Sequence, residues 1–267
     1  MPRADADAAR TYEDLLERAR ADPAVLAFWL GGSRGMGRPT EHSDYDCFFI
    51  VAEEAYAAFK AELGLDGPFQ MDWRPGVDLI VRTFPMFEAF AGWDSDERGY
   101  RYMFAHLEAL VDKTGRAQPL IDEKARVPAG VVASFVHASL DHALNQTYRA
   151  LKCRRDGDPV ASRLEAAEAI APFLDAAFAI HDRRLRPYYK YLAWELETDP
   201  LDKLPFGGEA LMHRLQAVLD EGGAEALRRL VSETIGVFRD EGHGSAFDGW
   251  GEAMRWMLGE ASSRSFE

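Results

Sequence analysis

Cysteine is scarce in this chain: only Cys47 and Cys153 occur among 267 residues, and their spacing matches no metal-binding pattern. Two isolated thiols exclude a disulfide framework and indicate a reducing compartment, so we expect a cytoplasmic protein. Long apolar runs are also missing, because charged residues interrupt each run within about ten positions, too short for a membrane span. The first residues, MPRADADAARTYED, contain no apolar signal-peptide core. We therefore expect no membrane partner.

Basic residues are outnumbered, since 31 lysines and arginines face 45 aspartates and glutamates, for a net charge of −14. A protein that grips a nucleic-acid backbone needs a basic face that displaces counterions, so this balance disfavours nucleic acid as a partner. An acidic surface attracts cationic molecules instead. Solubility is the simpler interpretation of the same balance.

Strand patterns occur only before about residue 127. The segments AVLAFWL (24–30) and YDCFFIV (45–51) are continuous apolar runs with the length of buried strands. The segment FQMDWRPGVDLIVRTF (69–84) predicts two strands joined by a Pro-Gly turn. A helix is expected to begin at Thr11, as its cap, and to end near Asp22. These patterns predict an α/β (α+β) domain with a small mixed sheet over residues 1–126.

The remainder of the chain carries only helical periodicity, interrupted by breakers such as RDGDP and EGHGS. We therefore predict an all-α helical-bundle domain over residues 127–267. The predicted helices are Val131–Lys152, Val160–His181, Pro187–Leu196, Gly208–Asp220, Ala224–Glu241 and Phe247–Leu258.

Two aspartates stand at the head of the second apolar strand. Residues i and i+2 of a strand point to the same side, so Asp44 and Asp46 are expected to project together and repel each other. A divalent cation removes that conflict, and hard oxygen ligands favour magnesium. Asp78 starts a later apolar strand, and three converging carboxylates suit a two-metal site. Turn or cap chemistry is the alternative for each aspartate.

The loop before these aspartates fits the same chemistry. Gly31 and Gly32 allow a ligand to approach the backbone closely, and Ser33 adds a hydroxyl next to backbone N–H groups that suit an anion. Arg34 and Arg38 supply positive charge for a triphosphate. A simple tight turn with solvated arginines is the alternative.

In the order Gly32-Ser33, Asp44-x-Asp46 and Asp78, the chain resembles the nucleotidyltransferase fold superfamily, which includes DNA polymerase beta and the antibiotic nucleotidyltransferases. The motif covers about the first third of the chain. The resemblance implies that Asp44 and Asp46 bind a magnesium–nucleotide complex, with two magnesium ions. It also implies that Ser33 contacts the phosphates and that Asp78 is either a third metal ligand or the general base.

The order of the two domains is similar to that of aminoglycoside and lincosamide nucleotidyltransferases, which pair such a domain with a helical bundle. The sequence therefore predicts a magnesium-dependent enzyme of the EC 2.7.7 class. It would transfer a nucleoside monophosphate, AMP from ATP in the first instance, to a hydroxyl of a small molecule, of which an aminoglycoside-like antibiotic is one candidate. Two alternatives stay open: a non-catalytic nucleotide-binding sensor or interaction protein, and an enzyme that adenylylates a protein. Neither the acceptor nor the choice among the nucleoside triphosphates is encoded in a readable motif.

The helical domain is expected to form part of the acceptor pocket. Lys152 follows Tyr148 by one helical turn, and Lys190 lies in a tyrosine-rich segment, so both lysines are candidate contacts for nucleotide phosphates. Ordinary core packing with a snorkelling lysine is the alternative. Three glutamates of this domain are candidates for attracting a cationic acceptor: Glu165, Glu168 and Glu195.

Overall fold

The computed structural model describes residues 2–220 and 223–260. The chain divides into two compact units, Met1–Arg126 and Val127–Glu267. A five-stranded sheet lies in the first unit, and the described part of the second is mostly helical, which confirms the predicted fold class. Within the described residues, no helix combines the length and the apolar character that a membrane crossing requires.

The strands of the first unit are β1 (Val25–Leu30), β2 (Tyr45–Val51), β3 (Phe69–Arg74), β4 (Val77–Arg82) and β5 (Ala109–Asp112). They form one sheet in the order β3-β4-β2-β1-β5. Strands β2 and β4 run parallel, and the other neighbouring pairs are antiparallel. The hairpin predicted over residues 69–84 is confirmed as β3 and β4. Because β4 pairs with β2, the hairpin carries Asp78 next to the strand of Asp46.

Over residues 2–126, the described part of the first unit contains five α-helices: α1 (Pro2–Ala21), α2 (Gly32–Gly35), α3 (Tyr56–Leu63), α4 (Phe84–Ala89) and α5 (Ala117–Lys124). Two 3-10 segments, Glu53–Ala55 and Asp96–Phe104, accompany them. The expected helix start at Thr11 is wrong, because α1 already begins at Pro2 and the Thr11 hydroxyl donates to the carbonyl of Asp7 inside the helix. Alanine-rich sequence favours this extension, and Ala8 is buried in the core.

The sheet is covered on both faces. On one face, alternate residues of β2 and β4 pack with α1 and α3, including Cys47, Phe49, Leu79 and Phe59. On the other face, Phe48 stacks against Trp29, with ring centroids 5.1 Å apart, and contacts of Trp29 with Phe87 bring in α4. Because side chains alternate along a strand, Asp46 and Asp78 belong to this second face.

Between residues 127 and 260, the described part of the second unit contains eight α-helices: α6 (Val132–Arg155), α7 (Pro159–Glu168), α8 (Ile170–Ala179), α9 (Tyr189–Thr198), α10 (Gly208–Leu219), α11 (Gly223–Phe238), α12 (Ser245–Asp248) and α13 (Gly251–Met257). The predicted single helix Val160–His181 is two helices that meet at Ala169. Pro172 explains the break, because proline is tolerated in the first turn of α8 but removes a hydrogen bond from a helix interior. The predicted helix Phe247–Leu258 is likewise divided between α12 and α13.

Candidate active site

Asp46 and Asp78 lie opposite each other at the start of the two parallel strands β2 and β4. Each is the second residue of its strand, and each side chain is half-buried. Residues in register on neighbouring strands point to the same face of a sheet, so the two carboxylates are neighbours on the second face. The sequence predicted this adjacency only on the condition that the two strands pair, and the structure meets that condition.

Gly32 packs directly against the Asp46 carboxylate. A Cβ at position 32 would lie 1.9 Å from Oδ2 of Asp46, and the backbone φ of Gly32 is +57°, a conformation that favours glycine. The N–H of Gly31 also donates to the carbonyl of Asp46, at 2.7 Å. The close approach between the Gly-Gly-Ser segment and the strand aspartate therefore requires glycine at position 32.

Asp44 lies just before β2, which begins at Tyr45. The alternation rule holds inside a strand, and Asp44 lies one residue outside β2, so a common direction for Asp44 and Asp46 stays a prediction. Its Oδ1 lies 4.0 Å from the position that a Cβ on Gly76 would take, near the turn between β3 and β4. The charge of Asp44 reaches Asp78, because it contributes to the raised pKa of that carboxyl group.

The surroundings of Asp78 alter the pKa of its carboxyl group. Its Oδ1 accepts a hydrogen bond from the backbone N–H of Asp72 at 2.8 Å. Burial raises the pKa of Asp78 above its usual value, and the negative charges of Asp44 and Asp72 add to this rise. The N–H of Asp72 acts in the opposite direction, since it stabilises the ionised form. Asp78 is therefore a better proton acceptor than an ordinary surface aspartate.

Magnesium prefers carboxylate oxygens combined with water and substrate phosphates, so the oxygen donors of Asp44, Asp46 and Asp78 fit this ion in kind. Within residues 2–220 and 223–260, no three His, Cys, Asp or Glu side chains are arranged to hold a metal ion by themselves. A metal here would need further ligands from a nucleotide and from water. The assignment of these three aspartates as metal ligands stays a prediction.

Ser33 and Arg34 both form hydrogen bonds with Ser43, the last loop residue before Asp44. The Ser33 hydroxyl donates to Oγ of Ser43 at 2.6 Å, and Nε of Arg34 donates to the carbonyl of Ser43 at 2.9 Å. The N–H of Thr40 also donates to Oγ of Ser43, at 2.8 Å. Ser43 thus closes the loop onto the candidate phosphate-binding serine. The sequence reasoning missed it, although Thr40 and Ser43 three residues apart are a common turn signal.

The Arg34 guanidinium lies 4.0 Å from the ring centroid of Tyr45, a cation–π contact. The Tyr45 ring in turn stacks on Tyr12 of α1, with centroids 5.0 Å apart. Arg38, the second arginine of the loop, is exposed. The contribution of Arg34 to nucleotide binding stays a prediction.

The lysines predicted to contact phosphates belong to the second unit. Nζ of Lys152 lies 5.3 Å from the ring centroid of Tyr148, and Nζ of Lys190 lies 4.8 Å from that of Tyr191. Both contacts are cation–π pairs on the helices that carry the lysines. A contact of either lysine with nucleotide stays a prediction.

Two of the glutamates considered for a cationic acceptor are already paired. Glu165 forms an ion pair with Arg149, with 2.6 Å between the carboxylate oxygen and the guanidinium nitrogen. Glu195 is 3% exposed and pairs with Arg184 at 2.9 Å. These contacts favour a structural role for both residues, whereas Glu168 is exposed.

No protein-family model matches the sequence, and no curated protein matches it. Among solved structures, a nucleotidyltransferase-like protein from Exiguobacterium sibiricum is similar, with a TM-score of 0.41 and 12% sequence identity. The match covers 92% of this chain and 79% of that chain. A similarity of this size does not extend to substrates, metals or site residues, and it gives no support for an antibiotic-specific layout.

Proposed function

We propose that the protein is a nucleotidyltransferase that transfers a nucleoside monophosphate from a nucleoside triphosphate to a hydroxyl group. One observation carries the proposal: Asp46 and Asp78 stand side by side on parallel strands, and Gly32 lies against the Asp46 carboxylate. Paired carboxylates next to a glycine–serine loop can hold a charged phosphate substrate through a bridging cation while the backbone approaches its oxygens.

Each residue has a proposed role. Asp44 and Asp46 would hold two magnesium ions, which would supply the positive charge that a triphosphate requires at a carboxylate-rich site. Asp78 would serve as the general base, and a role as third metal ligand is its alternative. The Ser33 hydroxyl and the backbone at Gly32 would contact phosphate oxygens, with Arg34 as a further cation. Transfer reactions at phosphorus depend mainly on positioning and charge neutralisation, and these residues serve both purposes.

Asp78 is the proposed proton acceptor. The acceptor oxygen would attack the α-phosphorus, the bond from that phosphorus to the bridging oxygen would break, and pyrophosphate would leave. The hydroxyl proton of the acceptor would pass to the Asp78 carboxylate. The raised pKa of Asp78 supports this assignment, because a base works best when its pKa approaches the working pH.

The proposed nucleotide is ATP, with AMP transferred, and the proposed acceptor is a cationic hydroxylated small molecule such as an aminoglycoside-like antibiotic. The net charge of −14 supports a cationic acceptor through long-range attraction. The choice of base is tested by comparing the four nucleoside triphosphates.

The experiment has two stages. Calorimetry and thermal unfolding with magnesium–ATP come first, because a ligand at 100 times its Kd stabilises a fold by about 2.7 kcal/mol. A pyrophosphate-release screen of hydroxylated amines against the four nucleoside triphosphates follows. Absence of both a binding signal and a thermal shift at millimolar nucleotide would overturn the proposal. If nucleotide binds but no pyrophosphate is released from it with any acceptor, a protein included, the sensor alternative would be favoured.

A further inference from the structure

The pairing between β3 and β4 is irregular next to the candidate site. Gln70 pairs with Leu79 and Arg74 pairs with Val77, and the register shifts between these two pairs. Residues 71–73 of β3 lie opposite Asp78 alone, and we call this segment with two extra residues the bulge. Extra residues of this kind bend a strand and redirect its groups. Asp72 lies inside this segment with a backbone φ of 48°, in the left-handed region that non-glycine residues rarely occupy.

The bulge turns the N–H of Asp72 toward the site. This N–H donates to Oδ1 of Asp78 over 2.8 Å, although Asp72 itself is exposed. A charge-assisted hydrogen bond of this kind fixes the orientation of the carboxylate that accepts it. One of the two oxygens of Asp78 is therefore oriented by a backbone donor of the protein.

The next residue anchors the bulge. Nε1 of Trp73 donates to the carbonyl of Leu63 at 2.8 Å, and the Trp73 side chain packs against the buried core. The segment between the two ladder pairs is thus held from the side opposite to Asp78. Unusual backbone conformations persist where the surrounding structure determines them and where they place a functional group.

We propose that Asp72 is a positioning residue whose left-handed backbone directs its N–H to Oδ1 of Asp78, so that Oδ2 faces the acceptor hydroxyl or the metal. This inference rests on the proposed function only for its catalytic consequence. The contact between Asp72 and Asp78 can be tested in the protein without any nucleotide.

The first test measures amide hydrogen exchange of Asp72 by NMR in the full chain without nucleotide. Asp78→Ala removes the acceptor, and we expect the Asp72 amide to exchange at least about tenfold faster, as expected for a lost hydrogen bond. Asp66→Ala, at an exposed aspartate of the same unit, is the control and should leave that exchange rate unchanged. An Asp72 amide whose exchange does not respond to Asp78→Ala overturns the proposal.

The second test compares three substitutions of Asp72 in the pyrophosphate-release assay. Asparagine and glycine tolerate positive φ, whereas β-branched valine does not. Asp72→Val should lower kcat by about tenfold or more relative to Asp72→Asn, with the KM for nucleotide within about threefold, because misplacement of a reacting group chiefly affects the chemical step. Equal kcat values for these two variants would contradict the positioning role, and Asp72→Gly should group with Asp72→Asn.

The two tests separate the possible failures. If the wild-type protein neither binds nor turns over nucleotide, the proposed function fails, and the exchange result still decides whether Asp72 holds Asp78. If the wild-type protein is active but the valine and asparagine variants do not differ, only the positioning role fails. Thermal unfolding checks that Asp72→Val is folded, and an unfolded variant leaves the exchange test as the deciding one.

Discussion

Two sets of charged side chains among the described residues of the first unit, one half-buried and one fully buried, differ in how their charge is satisfied. At the start of β2 and β4, carboxylates face one another, and burial, with a smaller contribution from the charges of Asp44 and Asp72, raises the pKa of Asp78. Elsewhere in the unit, Lys124 and Arg101 are each 5% exposed and donate to backbone carbonyls. The buried cations already have hydrogen-bond partners in backbone carbonyls. Carboxylates that repel one another, in contrast, are stabilised when a cation is added. The comparison separates cations that stabilise the fold from carboxylates that fit the cation of the proposed function.

The buried cations satisfy a helix end. Nζ of Lys124 donates to the carbonyls of Glu88 and Phe90, at and just after the end of α4. Arg101 donates to the carbonyls of Ala91, Glu123 and Arg126. The last carbonyls of a helix lack partners within the helix, and positive charge is favourable there. Their removal should therefore affect stability, and removal of the carboxylates should affect function.

The largest effect is expected for Asp46→Asn. The substitution keeps the shape of the side chain but removes the charge next to Gly32, so pyrophosphate release should fall by about a hundredfold or more, as for loss of other electrostatic groups in active sites. The melting temperature should stay the same or rise, because a repulsive charge is gone. Assay and thermal unfolding are measured on the same preparation. If the variant is destabilised or unfolded, Asp46 stabilises the fold, and the proposed difference between the carboxylates and the buried cations is wrong.

The converse prediction concerns Lys124→Met. Methionine keeps the apolar stem but leaves two carbonyls of the α4 end without their donor, which should lower the free energy of unfolding by about 1–3 kcal/mol. Urea denaturation measures the change, and the Kd for magnesium–ATP should stay the same. Lys113→Met, at an exposed lysine of the same unit, is the control and should change stability less. A large change in nucleotide affinity without loss of stability would contradict the structural role.

The pH dependence of stability sharpens the same contrast. Burial, with the nearby charges of Arg101 and Arg82, lowers the pKa of Lys124 from 10.5 to about 8. Between these pH values the unfolded chain holds a proton that the folded protein has lost, so stability should rise with pH. The contribution of one such group is at most about 1.4 kcal/mol per pH unit.

This slope is measured as a difference between two proteins, because other buried groups also titrate at alkaline pH. Burial raises the pKa of Tyr12 and Cys47, and these groups oppose folding as pH rises. Urea denaturation of the wild type and of Lys124→Met at several pH values between 7 and 10 removes their common contribution. Parallel curves for the two proteins would show that Lys124 keeps an ordinary pKa.

The sequence predicted the acidic half of this comparison better than the basic half. Asp46 and Asp78 stand out because a carboxylate inside an apolar strand is unusual. The sequence alone did not show whether β2 pairs with β4. Lys124 does not stand out, since a lysine near the end of a helix normally lies in water. Its burial depends on the packing of α4 and the Asp96–Phe104 segment, which are distant in the sequence.

Asp72 and Ser43, which contact the predicted residues Asp78 and Ser33, could not be predicted from the sequence for a related reason. Asp72 acts through its backbone N–H, and a backbone contact leaves no side-chain signature in the sequence. The role of Ser43 depends on how the loop after α2 folds back onto Ser33. The position of Asp44 outside β2 changed the argument by a single residue, within the ordinary uncertainty of strand ends.

The smallest expected effect concerns the loop that ends at Ser43. The test asks whether this loop contributes to nucleotide binding or to stability. Ser43→Ala removes the oxygen that accepts hydrogen bonds from the Ser33 hydroxyl and from the N–H of Thr40. Loss of a hydrogen bond is worth about 1 kcal/mol, so the KM for nucleotide should rise by about fivefold. The value of kcat should change less, because the carboxylates stay in place. Ser43→Thr retains the hydroxyl and should recover most of the affinity. If Ser43→Ala instead lowers the melting temperature with no change in KM, the loop holds the fold rather than the nucleotide.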